Sequence, residues 1–195
     1  MPDTALLILD IQNDLVHPEG VIGRTGFSTV VAQRRLLEKI AGVQNAMRQH
    51  GNPVVFVRVG FRADYQDVMS RAPRVAWLKE QKGVVLGTWA TEFPPEIAPR
   101  PDEMIYNKLA VNPFLNTGLA VWLMRRGITT LALCGVHTHM VVDSTARNAD
   151  DLGFIVKVLE DCCASPDMNI HRYEMEKILP LFGEVTSSAA FIRSL

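Results

Sequence analysis

The amino-acid sequence predicts an α/β fold in which helices cover both faces of a parallel sheet. Three observations support this prediction. Several apolar runs of strand length lack a polar face, which is typical of strands buried on both sides. Segments with helical periodicity lie between these runs, and four of the helical segments end in a glycine just before the next apolar run. Parallel strands need crossover connections, so this alternation of helices and strands along the chain predicts a parallel sheet.

Six segments are predicted to be strands, at residues 5–9, 54–59, 103–106, 130–133, 155–159 and 185–188. Apolar side chains recur at helical spacing in two of the intervening segments, at Leu37, Ile40, Val43 and Met47 and at Leu119, Leu123 and Met124. The glycines that close helices are Gly51, Gly127, Gly153 and Gly183. In sheets of this kind, ligands bind beyond the carboxyl ends of the strands.

The composition indicates one domain that spans residues 1–195. A chain of 195 residues buries about 70% of its extended surface on folding, so it needs no disulfide framework. With 48% hydrophobic and 21% charged residues, it is not intrinsically disordered.

The net charge of −1 and the lack of long basic runs predict no nucleic-acid or membrane partner. With three cysteines and no targeting segment, we expect a cytoplasmic protein.

Two charged residues follow predicted strands and mark a candidate site. Asp10 comes directly after the first strand, and Lys108 comes just after the third. Since the carboxyl ends of parallel strands meet at one edge of the sheet, the carboxylate and the ammonium group could pair there in a partly dry pocket. The alternative is an Asp that caps its own loop and a Lys that points into solvent.

Four blocks of the sequence carry a resemblance to a known family. They are Leu9 to Asp14, Gly87 to Ala90, Asn107 to Leu119 with Asn112-Pro113-Phe114 inside it, and Cys134 to Ala149. In this order and spacing they resemble the isochorismatase-like hydrolases, also called the cysteine hydrolase superfamily, over nearly the whole chain. The resemblance implies a three-layer, Rossmann-like fold with a six-stranded parallel sheet. It also implies a homo-oligomer, which we expect to be a dimer or a tetramer.

The resemblance also assigns roles at the candidate site. Asp10 and Lys108 match two members of the family's catalytic triad. The third member, a nucleophilic cysteine, would stand where this chain has Val141. Cys134 is expected to be a small core residue, and Cys162 and Cys163 are not placed to replace the missing thiol. The sequence is therefore interpreted as a branch of the superfamily that lacks the nucleophile.

True isochorismatases offer a precedent for a site without a thiol. The resemblance implies that such enzymes protonate a vinyl ether with the aspartate, so Asp10 is predicted to be a general acid or base. For this role Asp10 must hold a proton near neutral pH, which a dry pocket promotes and Lys108 opposes. His139 favours this branch, whereas Val141 and Val59 differ from its usual glycine and glutamine. The alternatives are a ligand-binding protein without activity and, third, an amidase.

Further site residues are predicted from the same blocks and, for Arg58, from the end of the second predicted strand. The backbone of Val136, His137, Met140 and Val141 is expected to form an oxyanion site, and the Val136–His137 peptide bond is expected to be cis, as it often is in the family. The predicted contacts to a small anionic or cyclic substrate are Gln12, Arg58, Trp89 and His139.

No metal or cofactor is predicted. The nicotinamidases of the superfamily bind zinc through an Asp and two His after the second strand, but this chain has no His between Val59 and Gly87. His137 and His139 have no evident third ligand. We expect one of these two rings to be hydrogen-bonded and the other to face the pocket. Phosphate-binding glycine loops are also absent from the sequence.

Overall fold

The computed structural model describes residues 3–195 and has a single six-stranded parallel sheet between two layers of helices. The strand order is β3-β2-β1-β4-β5-β6. The strands are β1 (Thr4–Leu9), β2 (Val54–Val59), β3 (Met104–Lys108), β4 (Thr130–Val136), β5 (Ile155–Ala164) and β6 (Glu184–Thr186). The predicted α/β fold class is confirmed.

Within residues 3–195, eight α-helices connect and flank the strands. They are α1 (Asn13–Val16), α2 (Phe27–Gln33), α3 (Leu36–Gln49), α4 (Pro73–Glu80), α5 (Leu119–Arg125), α6 (Asp143–Asp151), α7 (Met168–Tyr173) and α8 (Ser188–Ser194). Residues of α3 and α8 pack on one face of the sheet, and residues of α5 and α6 pack on the other. None of the helices within residues 3–195 has the length and apolar character needed to span a membrane.

The central strand, β1, explains why the apolar runs have no polar face. Residues 5–9 are fully buried, and β1 pairs in parallel with β2 on one side and with β4 on the other. Alternate side chains enter the two opposite cores, so both sets must be apolar. The strand order reverses between β1 and β4, which is where ligands bind in open sheets of this type.

Both helical segments are confirmed, because their apolar positions lie within α3 and α5. Ile40, Val43 and Met47 of α3 are fully buried, as are Leu119 and Leu123 of α5. Leu37 is partly buried, whereas Met124 is 48% exposed. It follows Leu123 directly, and one residue further along a helix turns the side chain about 100° away from the buried stripe.

Two strands extend further than the apolar runs that predicted them. β4 continues from 133 to Val136, and β5 continues from 159 to Ala164. Gly135 interrupts the apolar run of β4, and Glu160 and Asp161 interrupt that of β5, so the apolar runs ended both strands too early. Cys162 and Cys163 consequently lie inside β5, where both are fully buried.

Gly135 is the point where β4 comes closest to the central strand. Gly135 has a φ of 144°. A Cβ atom added to it would lie 2.1 Å from the carbonyl oxygen of Leu9. We expect Gly135→Ala to lower the free energy of unfolding by at least about 2 kcal/mol, measured by urea denaturation. Gly127→Ala is the control, because Gly127 also has a positive φ but has open space around it. Equal losses in the two variants would contradict the steric argument.

Candidate active site

A cavity of about 300 Å³ lies beyond the carboxyl ends of the four strands β1 to β4. Asp10 follows β1, Val59 ends β2, Lys108 ends β3 and Val136 ends β4, and all four residues line the cavity. Its walls are mostly apolar and consist largely of Leu15, Ile22, Phe61, Val75, Trp77, Leu78, Val84, Leu109, Val111, Met140, Val141 and Pro166. The pocket is therefore mainly apolar. Its floor, which the ends of the four strands form, carries a few polar groups.

Asp10 and Lys108 form a buried ion pair on this floor. The Lys108 Nζ donates to Asp10 Oδ2 at 2.8 Å and to the carbonyl oxygen of Ala110 at 3.0 Å. Only 5% of Asp10 and 2% of Lys108 are exposed. The two residues come together because β1 and β3 end at the same edge of the sheet, with β2 between them.

Burial determines the direction in which the pKa of Asp10 shifts, which the sequence left open. The loss of solvent raises the pKa of Asp10 above its ordinary value, and the opposing effect of Lys108 is smaller. The second carboxylate oxygen, Oδ1, is buried without a hydrogen-bond partner. A carboxyl group in this environment holds a proton at a higher pH than a solvated aspartate does, as a general acid requires.

The segment after β4 forms one side of the site. The Val136–His137 peptide bond is cis, as the resemblance implied. It leads into a π-helical turn, Thr138–Val142, which continues as α6. Val141 is buried and lines the cavity. The backbone N–H of Met140 donates to the carbonyl oxygen of His137 at 3.1 Å, so this predicted oxyanion donor is already engaged.

The two histidines of this segment have different surroundings. The His139 ring is hydrogen-bonded through Nδ1 to Ser165 Oγ at 2.9 Å. The His137 ring lines the cavity, and its Nε2 is buried without a partner. Burial, with a smaller effect from His139, lowers the pKa of His137 to about 4, so its imidazole is neutral at physiological pH. One ring is thus hydrogen-bonded and the other faces the pocket, as expected.

The four predicted substrate contacts lie outside this cavity. The side-chain amide of Gln12 pairs with the backbone N–H and carbonyl of Val59, and this contact joins the segment after β1 to the end of β2. Arg58 donates to Asn107 Oδ1 and to the carbonyl oxygen of Thr91. Trp89 is 42% exposed, and His139 is bound as described. Arg58 and Val59 point to opposite faces of the sheet because they are neighbours on a strand, and Val59 is the one that faces the cavity.

The comparison with known protein families agrees with this geometry. The isochorismatase domain family matches residues 4–190. The chain belongs to the isochorismatase family.

Three relatives show the range of this family. The chain is 30% identical to the uncharacterized isochorismatase family protein YecD of Escherichia coli O157:H7, over 98% of this chain and 96% of that protein. It is 29% identical to the ureidoacrylate amidohydrolase RutB of Methylobacterium radiotolerans, over 98% and 79% of the two chains. The solved structure of N-carbamoylsarcosine amidase from Thermoplasma acidophilum superposes with a TM-score of 0.76 at 25% identity, covering 96% and 97%. The chain is an isochorismatase-family hydrolase.

The three cysteines of this family member all lie in the core. Each is fully buried, and none lines the cavity. Burial raises the pKa of Cys163 to about 12 and also raises the pKa values of Cys134 and Cys162. Since the thiolate is the nucleophile, thiols in such surroundings are inert. Within residues 3–195, no group of three or more His, Cys, Asp or Glu side chains is arranged to hold a metal ion.

Asp14 is a structural residue of the site that the sequence reasoning missed. Its buried carboxylate accepts hydrogen bonds from the backbone N–H groups of Val21 at 3.1 Å and Val84 at 2.6 Å. These bonds join two loops whose residues Ile22 and Val84 form part of the cavity wall. The only sequence signal was its place at the end of the first family block, beside the residues that received roles.

Proposed function

We propose that this protein hydrolyses a small-molecule metabolite, with Asp10 as general acid and base and without a thiol nucleophile. The observation that carries the proposal is the buried Asp10–Lys108 pair on the cavity floor, in which burial raises the pKa of Asp10. Val141 stands where the superfamily resemblance would place the thiol, and this residue is part of the lining of the same cavity. We also propose that the protein works in the cytoplasm as a homo-oligomer.

The chemistry that best suits such a site is the hydrolysis of a vinyl ether. The protonated Asp10 gives its proton to the terminal carbon of the double bond, which leaves an oxocarbenium ion at the ether carbon. Water adds to that carbon and returns a proton to the Asp10 carboxylate. The hydroxyl proton of the resulting hemiketal then passes to the leaving oxygen, and the products are an alcohol and a ketone.

Lys108 orients the acid and stabilises bound anionic groups. An ammonium group has three N–H donors, of which two bind Asp10 and Ala110. The third can donate to an oxygen of the substrate. When Asp10 becomes a carboxylate during the reaction, the charge of Lys108 is already 2.8 Å away, so no reorganisation is needed to stabilise the new negative charge.

Two of the relatives are named for the hydrolysis of a C–N bond. This reaction fits the site of the present chain less well. Amide cleavage by nucleophilic catalysis needs an activated nucleophile next to the bound carbonyl group. The position available for it holds Val141, and the native thiols are buried with raised pKa values. Direct attack by water, with protonation at carbon, needs no nucleophilic side chain.

The proposal is tested by turnover on two substrate panels, one of vinyl ethers that includes isochorismate and one of amides that includes ureidoacrylate. We expect hydrolysis of at least one vinyl ether, unaffected by prior treatment with iodoacetamide and lost in Asp10→Asn. Amide hydrolysis that iodoacetamide abolishes in the folded protein would contradict the proposal. A protein inactive on both panels would also contradict it.

Val141→Cys should restore a reactive thiol to the site. The new side chain is smaller than valine, and it faces a cavity that holds the Lys108 ammonium group, which lowers the pKa of a nearby thiol. We expect it to react with iodoacetamide at pH 7 faster than free cysteine does, whereas the wild-type protein, whose cysteines are buried, should react very slowly. A new thiol that reacts no faster than free cysteine would argue against an electropositive site at this position.

A further inference from the structure

A chain of hydrogen bonds links the π-helical turn after β4 to other parts of the fold. The hydroxyl group of Thr138, the first residue of the turn, lies 2.8 Å from Nδ1 of His171 in α7. The other ring nitrogen of His171, Nε2, lies 2.9 Å from Oε1 of Glu160 in β5. Arg34 donates to the same carboxylate oxygen at 2.8 Å and to the carbonyl oxygen of Glu160 at 2.9 Å. The chain therefore joins the turn to α7, to β5 and to the end of α2.

The partners in this chain determine where its protons lie. The hydrogen bond from His171 lowers the pKa of Glu160 to about 2, and Arg34 adds to this effect while burial opposes it. Glu160 is therefore a carboxylate, which only accepts hydrogen bonds, so Nε2 of His171 carries a proton. When the imidazole is neutral, Nδ1 is an acceptor and the Thr138 hydroxyl donates to it. The direction of both hydrogen bonds is thus fixed.

A hydroxyl, an imidazole and a carboxylate in this order have the composition of a hydrolase triad. The surroundings of Thr138 exclude a nucleophilic role. Its side chain is fully buried, and Thr138 is not part of the lining of the active-site cavity. A second cavity of about 310 Å³ is lined by His171, Glu160 and Arg34, and Thr138 does not border that one either. The hydroxyl group cannot reach a bound substrate, so its effect on the site must be indirect.

The position of Thr138 determines where its neighbours in the chain lie. His137 precedes it, Met140 and Val141 follow it, and all three line the active-site cavity. The backbone N–H groups of Met140 and Val142 both donate to the carbonyl oxygen of His137, at 3.1 and 3.5 Å. Because 3.5 Å lies beyond the usual range of an N–H···O bond, the backbone alone supports this turn weakly. The side-chain bond of Thr138 supplies a second point of attachment.

We propose that Thr138 and His171 are positioning residues, whose hydrogen bond holds the turn so that this wall of the cavity keeps the substrate in place against Asp10. The inference rests on the proposed function, because it takes the cavity to be the substrate site. Neither residue touches the substrate. A displacement of about 1 Å in a wall that orients the substrate is enough to lower the rate of the chemical step strongly.

The hydrogen bond is tested first on the whole protein without a substrate. In ¹⁵N–¹H correlation spectra of the histidine rings at pH 8, we expect His171 to be the Nε2–H tautomer. Thr138→Val keeps the shape of the side chain but removes the hydroxyl group. We expect the Met140 backbone amide of this variant to exchange with deuterium about tenfold faster than in the wild type.

Two further variants serve as controls for the exchange measurement. Thr138→Ser keeps the hydroxyl group, and its Met140 amide should exchange like that of the wild type. Thr91→Val also removes a fully buried hydroxyl group that is hydrogen-bonded to backbone carbonyl oxygens. Because Thr91 has no part in the turn, this variant should leave the exchange of Met140 unchanged.

The effect on the reaction is tested with a vinyl ether that the wild-type protein hydrolyses. We expect Thr138→Val to lower kcat about tenfold and to change KM by less than about twofold, because a displaced wall alters the approach to Asp10 more than the contact area. Thr138→Ser should restore most of the activity. A role in stability alone would lower the urea midpoint of Thr138→Val and leave the kcat of the folded protein unchanged.

Three results would overturn this inference: an Nδ1–H tautomer of neutral His171, a folded Thr138→Val protein whose Met140 amide exchanges at the wild-type rate, or one with wild-type kcat. If Thr138→Val does not fold, the tautomer in the wild type and the exchange rate in His171→Phe, which removes the acceptor, still decide. A failure of the proposed function looks different. In that case the tautomer and exchange results hold, but the wild-type protein hydrolyses no vinyl ether.

Discussion

Asp10→Asn is expected to lower the turnover of a vinyl ether substrate about 10²- to 10⁴-fold, the range typical of losing a general acid. Asparagine has nearly the same shape, and its amide oxygen can still accept a hydrogen bond from Lys108. It cannot deliver a proton to carbon. KM should therefore change much less than kcat, and the loss should appear almost entirely in kcat.

The pH dependence of kcat in the same reaction distinguishes Asp10 as a general acid from Asp10 as a general base. Because burial raises the pKa of Asp10, the acid form persists to higher pH than in a solvated aspartate. As a general acid it should give a kcat that is highest below this pKa and falls as the pH rises through it. Asp64→Asn, at an exposed position, is the control and should keep the wild-type profile. A kcat that rises with pH in this range would identify Asp10 as a base in the rate-limiting step instead.

Lys108→Met is expected to have the largest effect on stability, a loss of about 3–5 kcal/mol at neutral pH. The variant leaves Asp10 buried without its opposite charge, and a lone buried carboxylate is strongly unfavourable. The double variant Asp10→Asn with Lys108→Met has no buried charge at this position. It should recover most of the loss, although it is inactive.

The stability of Lys108→Met should also depend on pH in a defined direction. A folded-state pKa of Asp10 raised above the unfolded value means that the folded state binds the proton more tightly. The destabilisation is therefore present at neutral pH and shrinks as the pH falls through the folded pKa towards the unfolded value, near 3.9. Urea denaturation between pH 4 and pH 8 measures this dependence.

Lys157→Met is the matched control for the ion pair. Lys157 pairs with Glu184 at 3.1 Å, but more than half of the glutamate side chain is exposed. Surface pairs of this kind contribute about 1 kcal/mol or less, so this variant should unfold close to the wild-type midpoint. A loss in Lys108→Met no larger than that of the control would show that Asp10 is not held as a carboxylate in the folded protein.

The sequence was sufficient to predict the sheet and the pair at its edge. Strands buried on both faces leave a strong hydropathy signal, and parallel strands all end at one edge, so the strand pattern allowed Asp10 and Lys108 to pair. The family resemblance favoured that pairing over two separate residues. The strand ends at Val136 and Ala164 were missed because Gly135 interrupts the apolar run of β4 and Glu160 and Asp161 interrupt that of β5. The last residues of the two strands still pair across the sheet.

The substrate contacts could not be predicted in the same way. A position near the end of a strand shows which residues are close to a site, but the pleat of the strand decides which of two neighbours faces it. Arg58 and Val59 show this, since only Val59 lines the cavity. Most of the cavity walls come from loops and from α4, whose paths depend on long-range contacts such as those of Asp14. No local pattern in the sequence encodes such contacts.

The carboxylate of Asp14 has a consequence for how this family member can acquire new substrates. Because it ties the loop that carries Ile22 to the loop that carries Val84, the two walls cannot move independently. A substitution that reshapes one wall shifts the other through a shared anchor, so their effects on specificity should be non-additive. The hydrogen bonds of Asp14 involve neither Asp10 nor Lys108. We therefore expect that substitutions selected for a new substrate change the two walls together, while Asp10 and Lys108 keep their positions.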